Sequence, residues 1–270
     1  MPSGGVLRMY TNFFLKFNKQ LMKRSIFYSF GILLLALAAG CSNSNQPTTY
    51  PQVNYTSGQS YIYYAQVLDK NTGDTVAGSG DTITSTVLTT NASYQGMSGV
   101  TEIQNTHTHP ASGATMDTTY IAQSNGNYYH YNYGIEILNG NQSVLNAVNK
   151  GKQIDVGWVL QAKLSANSGD KWGALDTNLT LYYGGTPIDA GFADTATETS
   201  DTTITIGASQ VVAKHSIHSI VLNAAGAVKD TLIVDTYVSA TDGPVLDKFH
   251  PTSLAGTPTP GRITIFLGKK

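Results

Sequence analysis

The six histidines are the first residues that could do chemistry. His107 and His109 flank Thr108, and on a strand this spacing turns both imidazoles to one face, as a metal ion would require. A metal site takes three or four convergent ligands. Here the segment reads as a loop running into Pro110, with Glu102 the one acidic residue nearby, so no metal site is expected. His215 and His218 fall on opposite faces of a strand and cannot chelate together. His215 shares its face with Val211, Ala213, Ile217 and Val221 and reads as a core histidine; His130 and His250 carry no pattern.

The carboxylates point no more clearly to catalysis. Asp69, Asn71, Gly73 and Asp74 resemble the start of a calcium loop, but position 12 is Gly80 rather than a bidentate glutamate, and a turn is the better account. Asp155 and Asp235 read as mid-strand positions on a solvated face. Gly78-Ser79-Gly80 has the wrong spacing for a nucleophile elbow, and no phosphate-binding or dinucleotide motif is present. No catalytic residues and no cofactor are expected, and the chain reads as a non-enzyme.

Tyrosine is the notable excess, with 16 in the chain and adjacent pairs at Tyr63-Tyr64, Tyr128-Tyr129 and Tyr182-Tyr183. Neighbouring tyrosines on a strand point to opposite faces. Tyr129, Tyr131, Tyr133 and Ile135 fall on one face, with Tyr128, His130 and Asn132 on the other. Exposed rings beside polar groups can stack on sugars or line a groove for an acyl chain. Tyr129, Tyr131 and Tyr133 are therefore the candidate ligand-binding residues, for a hydrophobic ligand or, alternatively, a carbohydrate.

The elements that must position these groups read as strands. Period-2 patterning starts at Ser60, with Asp69–Asp74 as a turn. Asp81–Asn91 is Thr-rich and β-branched, Val100–Gln104 reads as a short strand, and Thr106–Thr115 as a loop. Asn125-Gly126 between Thr118–Gln123 and Asn127–Ile137 is a strong hairpin signal. Gln142–Lys150 is the best helix candidate, about two turns long. Lys152–Leu164 alternates so that Ile154, Val156, Trp158, Leu160, Ala162 and Leu164 share one face. Asn178–Tyr183 is a strand and Asp189–Ser200 a polar, acidic connection. Thr202–Ile206, Gln210–Asn223, Ala227–Ala240, Val245–Phe249 and Arg262–Leu267 complete the set. Short turns without alternating helices mean antiparallel pairing. The fold class is all-β: a single curved antiparallel sheet, half-barrel or open barrel, over residues 60–270.

The N-terminal part reads as export machinery. Lys23 and Arg24 precede an apolar run, Ile26–Ala39, and small residues lead to Cys41. That is a secretory signal, and its apolar run of about 14 residues falls short of the roughly 20 needed to span a bilayer. Residues 22–40 form the signal peptide. Residues 1–21 are either an extended n-region or a start misassigned ahead of Met22. Residues 41–59, polar with scattered prolines, read as a flexible tether. Beyond residue 40 the chain keeps 11 basic and all 17 acidic residues, with Arg262 its one arginine, a net charge of −6. That balance excludes a nucleic-acid partner.

Ala39 and Gly40 ahead of Cys41 resemble the lipobox of bacterial lipoproteins, although the family's leucine three before the cysteine is Ala38 here. The resemblance implies cleavage between Gly40 and Cys41, a diacylglycerol on the Cys41 sulfur, and acylation of the new amine. It implies a protein held in the cell envelope, at the outer membrane facing the periplasm; no acidic cluster after Cys41 supports surface display. Cys41 is the single cysteine, so lipidation there leaves the domain without a free thiol. A second resemblance covers the C-terminal quarter. ITIGASQVVAKHSIHSIVL and then VDTYVSATDGPVLDKF, with Gly243, Pro244 and Val245 at the end, are similar to uncharacterised envelope lipoproteins. That likeness implies a half-barrel antiparallel sheet and no activity.

Overall fold

The computed structural model describes residues 50–109, 113–135, 151–183, 186–224, 228–254 and 256–270. Cys41, the signal peptide and the helix candidate 142–150 lie outside the described residues. Among the described residues fourteen strands follow one another: β1 (Ser60–Leu68), β2 (Asp81–Tyr94), β3 (Met97–His109), β4 (Gly113–Ser124), β5 (Asn127–Tyr131), β6 (Trp158–Lys163), β7 (Lys171–Tyr183), β8 (Thr186–Ile206), β9 (Ser209–Ala224), β10 (Val228–Ser239), β11 (Gly243–Phe249), β12 (Thr252–Leu254), β13 (Thr257–Thr259) and β14 (Gly261–Lys269). Twelve form one antiparallel sheet in the order β6-β5-β4-β3-β2-β1-β14-β11-β10-β9-β8-β7; β12 and β13 make a separate small hairpin.

The sheet is nearly closed into a barrel, with β6 and β7 as the two edges that face each other. Exposed edges carry unpaired backbone groups and invite aggregation. Here side chains satisfy them across the seam. The Trp172 indole donates to the Leu160 carbonyl at 3.1 Å, and His218 Nε2 lies 2.7 Å from the Gln161 carbonyl. Two buried side chains thus tie the sheet where a twelfth ladder would close it.

A barrel this wide is not filled by inward side chains alone. Two non-strand segments enter it. Near the tether, Val53 is 3% exposed, and its backbone N–H and C=O both bond to the Gln123 side chain. Tyr55 reaches in to bond Tyr128, hydroxyl to hydroxyl, at 2.6 Å. Packing thus begins about seven residues before Ser60, where the sequence reads as flexible tether, because Val53 and Tyr55 have an apolar barrel mouth to enter. On the other side, Tyr133, Ile135, Ile154 and Val156 join Trp172, Phe192, Ile220 and Phe249 in a second cluster. Gly134 permits this approach, since a Cβ there would meet Ile220 at 2.3 Å.

The turns follow their chemistry. Asn125 and Gly126 both have positive φ, as a two-residue hairpin requires. The Asp69 carboxylate accepts the Asn71 and Thr72 N–H groups, and Gly73 sits at φ 74°. Three expectations fail. The loop expected over 106–115 is largely strand, with β3 running through His109 and β4 starting at Gly113. The acidic connection expected at 189–200 is the middle of β8, the longest strand. Its Asp194 and Glu198 point inward, each 1% exposed, and polar inward positions look like loop to a pattern that assumes an apolar interior. The long alternation from Ile154 breaks at Gly157 (φ 88°), so Trp158 turns outward and only Trp158–Lys163 is strand.

Candidate functional site

The chemistry-bearing groups fall into a belt inside the barrel, two histidine clusters, and an aromatic patch on the outer face.

The belt separates the two apolar clusters. At its centre Asp247 Oδ1 accepts from the Tyr133 hydroxyl at 2.9 Å and the Thr236 hydroxyl at 2.5 Å. Gln161 Nε2 donates to Thr236 at 3.2 Å. Gln161 is the extra residue where the β5–β6 register shifts between Tyr128 and Tyr129, and that bulge aims it inward. His218 lies 2.8 Å from Asp194, both side chains fully buried. Ser216 donates to Glu198 at 3.0 Å. Burial pushes the carboxyls of Asp247 and Glu198 upward, against the hydrogen bonds that favour their anions. Burial also pulls His130 down to about 4, with a hydrogen bond to Gln161 opposing it. The sequence expectation is corrected here: His218, not His215, is the core histidine, because the inward face of β9 carries Ser216, His218 and Ile220.

His215 faces outward. It stacks on Tyr237 at 4.1 Å and lies 2.7 Å from the hydroxyl of Thr199, the extra residue where β8 and β9 shift register. Asp235 receives His215 on one oxygen at 2.9 Å and His250 on the other at 2.7 Å. Burial pushes Asp235 up, but the bonds from His250 and His215 hold it below the usual carboxylate range. The Thr199 hydroxyl also donates to the His215 carbonyl, which ties the group into the sheet rather than presenting a nucleophile. On β3, His107 bridges Asp117 at 2.8 Å and Asp81 at 3.0 Å, and the bond to Asp117 raises its pKa. These carboxylates come from neighbouring strands, which sequence proximity to His107 could not reveal. No group of three or more His, Cys, Asp or Glu among the described residues is arranged to hold a metal ion.

The outer patch is the best candidate for a binding site. Tyr120 (β4), Tyr131 (β5) and Trp158 (β6) project outward from adjacent strands, and Tyr94 joins them from the end of β2. Three register shifts bend the β2–β3 hairpin, and its tip lies over this face. Tyr94 stacks on Tyr120 at 3.6 Å and 8°. It meets Tyr131 edge-on at 4.9 Å and Trp158 at 6.4 Å. Tyr131 and Trp158 are 5.3 Å apart, near perpendicular. All four rings are half-buried. Polar contacts fix them: the Trp158 indole donates to the Gln95 carbonyl at 3.3 Å, and the Tyr131 hydroxyl lies 2.8 and 2.9 Å from the two Asp155 oxygens. Burial and then Asp155 raise the Tyr131 pKa, keeping the phenol protonated. Glu102 pairs directly opposite Tyr120 across β3 and β4.

Of the three tyrosines singled out from the sequence, only Tyr131 belongs to this patch. Tyr129 packs against the apolar cluster and accepts a bond from Asn127. Tyr133 is 1% exposed inside the barrel. Tyr129 and Tyr131 keep one face of β5, opposite Tyr128 and His130, but Tyr133 leaves it, because β5 ends at Tyr131 and Asn132 turns the chain with φ 60°. Tyr94, Tyr120 and Trp158 were missed. They are far apart in sequence, and only the bent hairpin and the Gly157 twist bring them together.

No protein-family model matches the chain, and no curated protein matches it. Solved structures do resemble it, two bacterial proteins among them. One is a candidate lipoprotein from Parabacteroides distasonis, with a TM-score of 0.50 and 12% identity, covering 82% of this chain and 97% of that one. The other is a candidate exported protein with a YmcC-like fold from Bacteroides fragilis, with a TM-score of 0.50 and 11% identity, covering 82% and 100%. At such identity the likeness is one of fold: this chain has the antiparallel, nearly closed barrel of those bacterial proteins.

Proposed function

We propose that this is a lipid-anchored protein of the bacterial envelope, attached through Cys41, with a binding rather than a catalytic role, and that its ligand is a neutral carbohydrate. The observation that carries the ligand reading is the preorganised patch of Tyr94, Tyr120, Tyr131 and Trp158. Rings held by their neighbours lose little freedom on binding and offer apolar edges and faces to a sugar. Asp155 and Glu102 add acceptors for hydroxyl groups, and their carboxylates disfavour an anionic glycan. An acyl carrier needs a hollow, whereas this interior holds Tyr61, Tyr128, Tyr133 and Phe192, each at most 1% exposed.

Glycan-array binding of residues 41–270, followed by titration of hits, tests the ligand. Trp158→Ala is expected to weaken binding about tenfold or more, on the order of 1.4 kcal/mol, with an unchanged far-UV spectrum. Absence of binding to any neutral glycan, or equal binding by Trp158→Ala, overturns the reading. The anchor is tested separately: Cys41→Ser should lose the acyl mass and leave the membrane fraction, and an acylated Cys41→Ser product would overturn it.

A further inference from the structure

The barrel has two unlike ends. One carries the Asn125-Gly126 turn, the β8–β9 and β10–β11 turns, the start of β1 and the end of β14. The chain also enters the barrel here, at Tyr50–Tyr55. Beside Pro51 lies an open depression of about 500 Å³, lined by Leu164, Val211, Val212, Ala213 and Val238, with Lys214, Asp201 and Asp242 at its margin. That volume is in the range of small-ligand sites. Val212 is 61% exposed at its edge, and Leu267 (54%), Leu88 (43%) and Tyr50 (41%) stand around the same rim.

Charge distinguishes this end as well. Lys163, Lys171, Lys214, Lys269 and Lys270 are on it, half of the ten lysines beyond Cys41. Against them stand Asp170, Asp201 and Asp242. Lys214 pairs with Asp201, and Lys269 with Asp242. Lys171 and Lys270 are exposed. Most of the net negative charge of the chain therefore lies elsewhere, and this rim can approach an anionic surface without repulsion.

We propose that this end is a reversible membrane-contact surface: the lysine rim meets anionic lipid headgroups, and the depression along Val211–Ala213 takes one acyl chain of a bilayer lipid. The occupant follows from where the chain leads. Nine residue steps separate Tyr50 from Cys41, a reach of about 30 Å at most, so a lipid on Cys41 keeps this end within a barrel's length of a bilayer. The presence of that bilayer rests on the anchor reading; the contact itself does not need the anchor.

Residues 41–270 bearing Cys41→Ser, hence without acyl groups, are sedimented with phosphatidylethanolamine vesicles containing about 30% phosphatidylglycerol. The expected result is co-sedimentation that falls about fivefold or more with Val212→Asp, and falls in high salt and with the Lys171→Glu/Lys270→Glu pair. Unfolding midpoints of the variants confirm that the fold is kept. No co-sedimentation overturns the proposal, and so does binding that Val212→Asp leaves unchanged. Because the protein is unacylated, this outcome is independent of whether Cys41 is lipidated in the cell.

Discussion

Tyr131 and Tyr133 are two residues apart, and each donates its hydroxyl to an aspartate. Tyr131 does so on the outer face, to both oxygens of Asp155. Tyr133 does so inside the barrel, to Asp247, whose same oxygen also receives Thr236. The outer pair belongs to four half-exposed rings that present themselves to solvent. The inner pair belongs to a chain of buried bonds reaching Gln161 and the seam. The same chemistry thus stands half-exposed on the outer face in one place and ties the barrel interior together in the other. The difference is solvent: a buried polar group must be partnered or it costs the fold its desolvation energy, while an exposed one can exchange its partner for a ligand.

The largest break in that comparison should come from His218→Ala. It leaves the Asp194 carboxylate and the Gln161 carbonyl buried without their partner, and a loss of about 3–5 kcal/mol in urea unfolding is expected. A loss under about 1 kcal/mol would mean that the seam closes without this residue. Next comes Tyr133→Phe, which removes one of two donors to a buried carboxyl and should cost about 1–3 kcal/mol.

Two histidines sharpen the comparison through pH. His130, held by burial at about 4, stays neutral in the fold. Its contribution is complete above the unfolded value near 6.5 and is lost as pH falls toward 4. His107, raised first by its bond to Asp117, behaves oppositely. Its contribution is complete below about 6.5 and is lost as pH rises through its raised value. Ring-proton NMR should show the two titrating on opposite sides of the ordinary value; a common midpoint would break the assignment of one inside and one between carboxylates. The smallest effect belongs to Tyr131→Phe, expected to cost at most about 1 kcal/mol of stability, since water replaces the bond to Asp155. Its consequence should instead appear in glycan affinity, and a stability loss matching that of Tyr133→Phe would erase the distinction drawn here.

Most strands were legible because hydrophobic alternation and turn chemistry are local. Asn125-Gly126 forms the hairpin its sequence calls for, and β9 and β10 lie close to the alternating runs that announce them. The two segments misread as loop share one cause. Asp194 and Glu198 on β8 and His107 on β3 are polar residues on strands, and such stretches read as loop when the inward face is assumed apolar. Trp158 stands on the face opposite to the expected one because Gly157, with positive φ, shifts the alternation, and the bulge at Gln161 then returns Ala162 and Leu164 to the interior.

By itself the sequence determined the all-β class, the antiparallel pairing and the turns, because these depend on contacts between residues close along the chain. The expectation of export and anchoring rests on the residues leading to Cys41 and not on the fold. Only the tertiary structure decided which residues share a site. The patch joins Tyr94, Tyr120, Tyr131 and Trp158 from four strands, and the seam joins Leu160 and Gln161 to Trp172 and His218. Neither has a spacing to be recognised. Strand order, bulges and one left-handed glycine set those neighbours, and each acts across the sheet rather than along the chain.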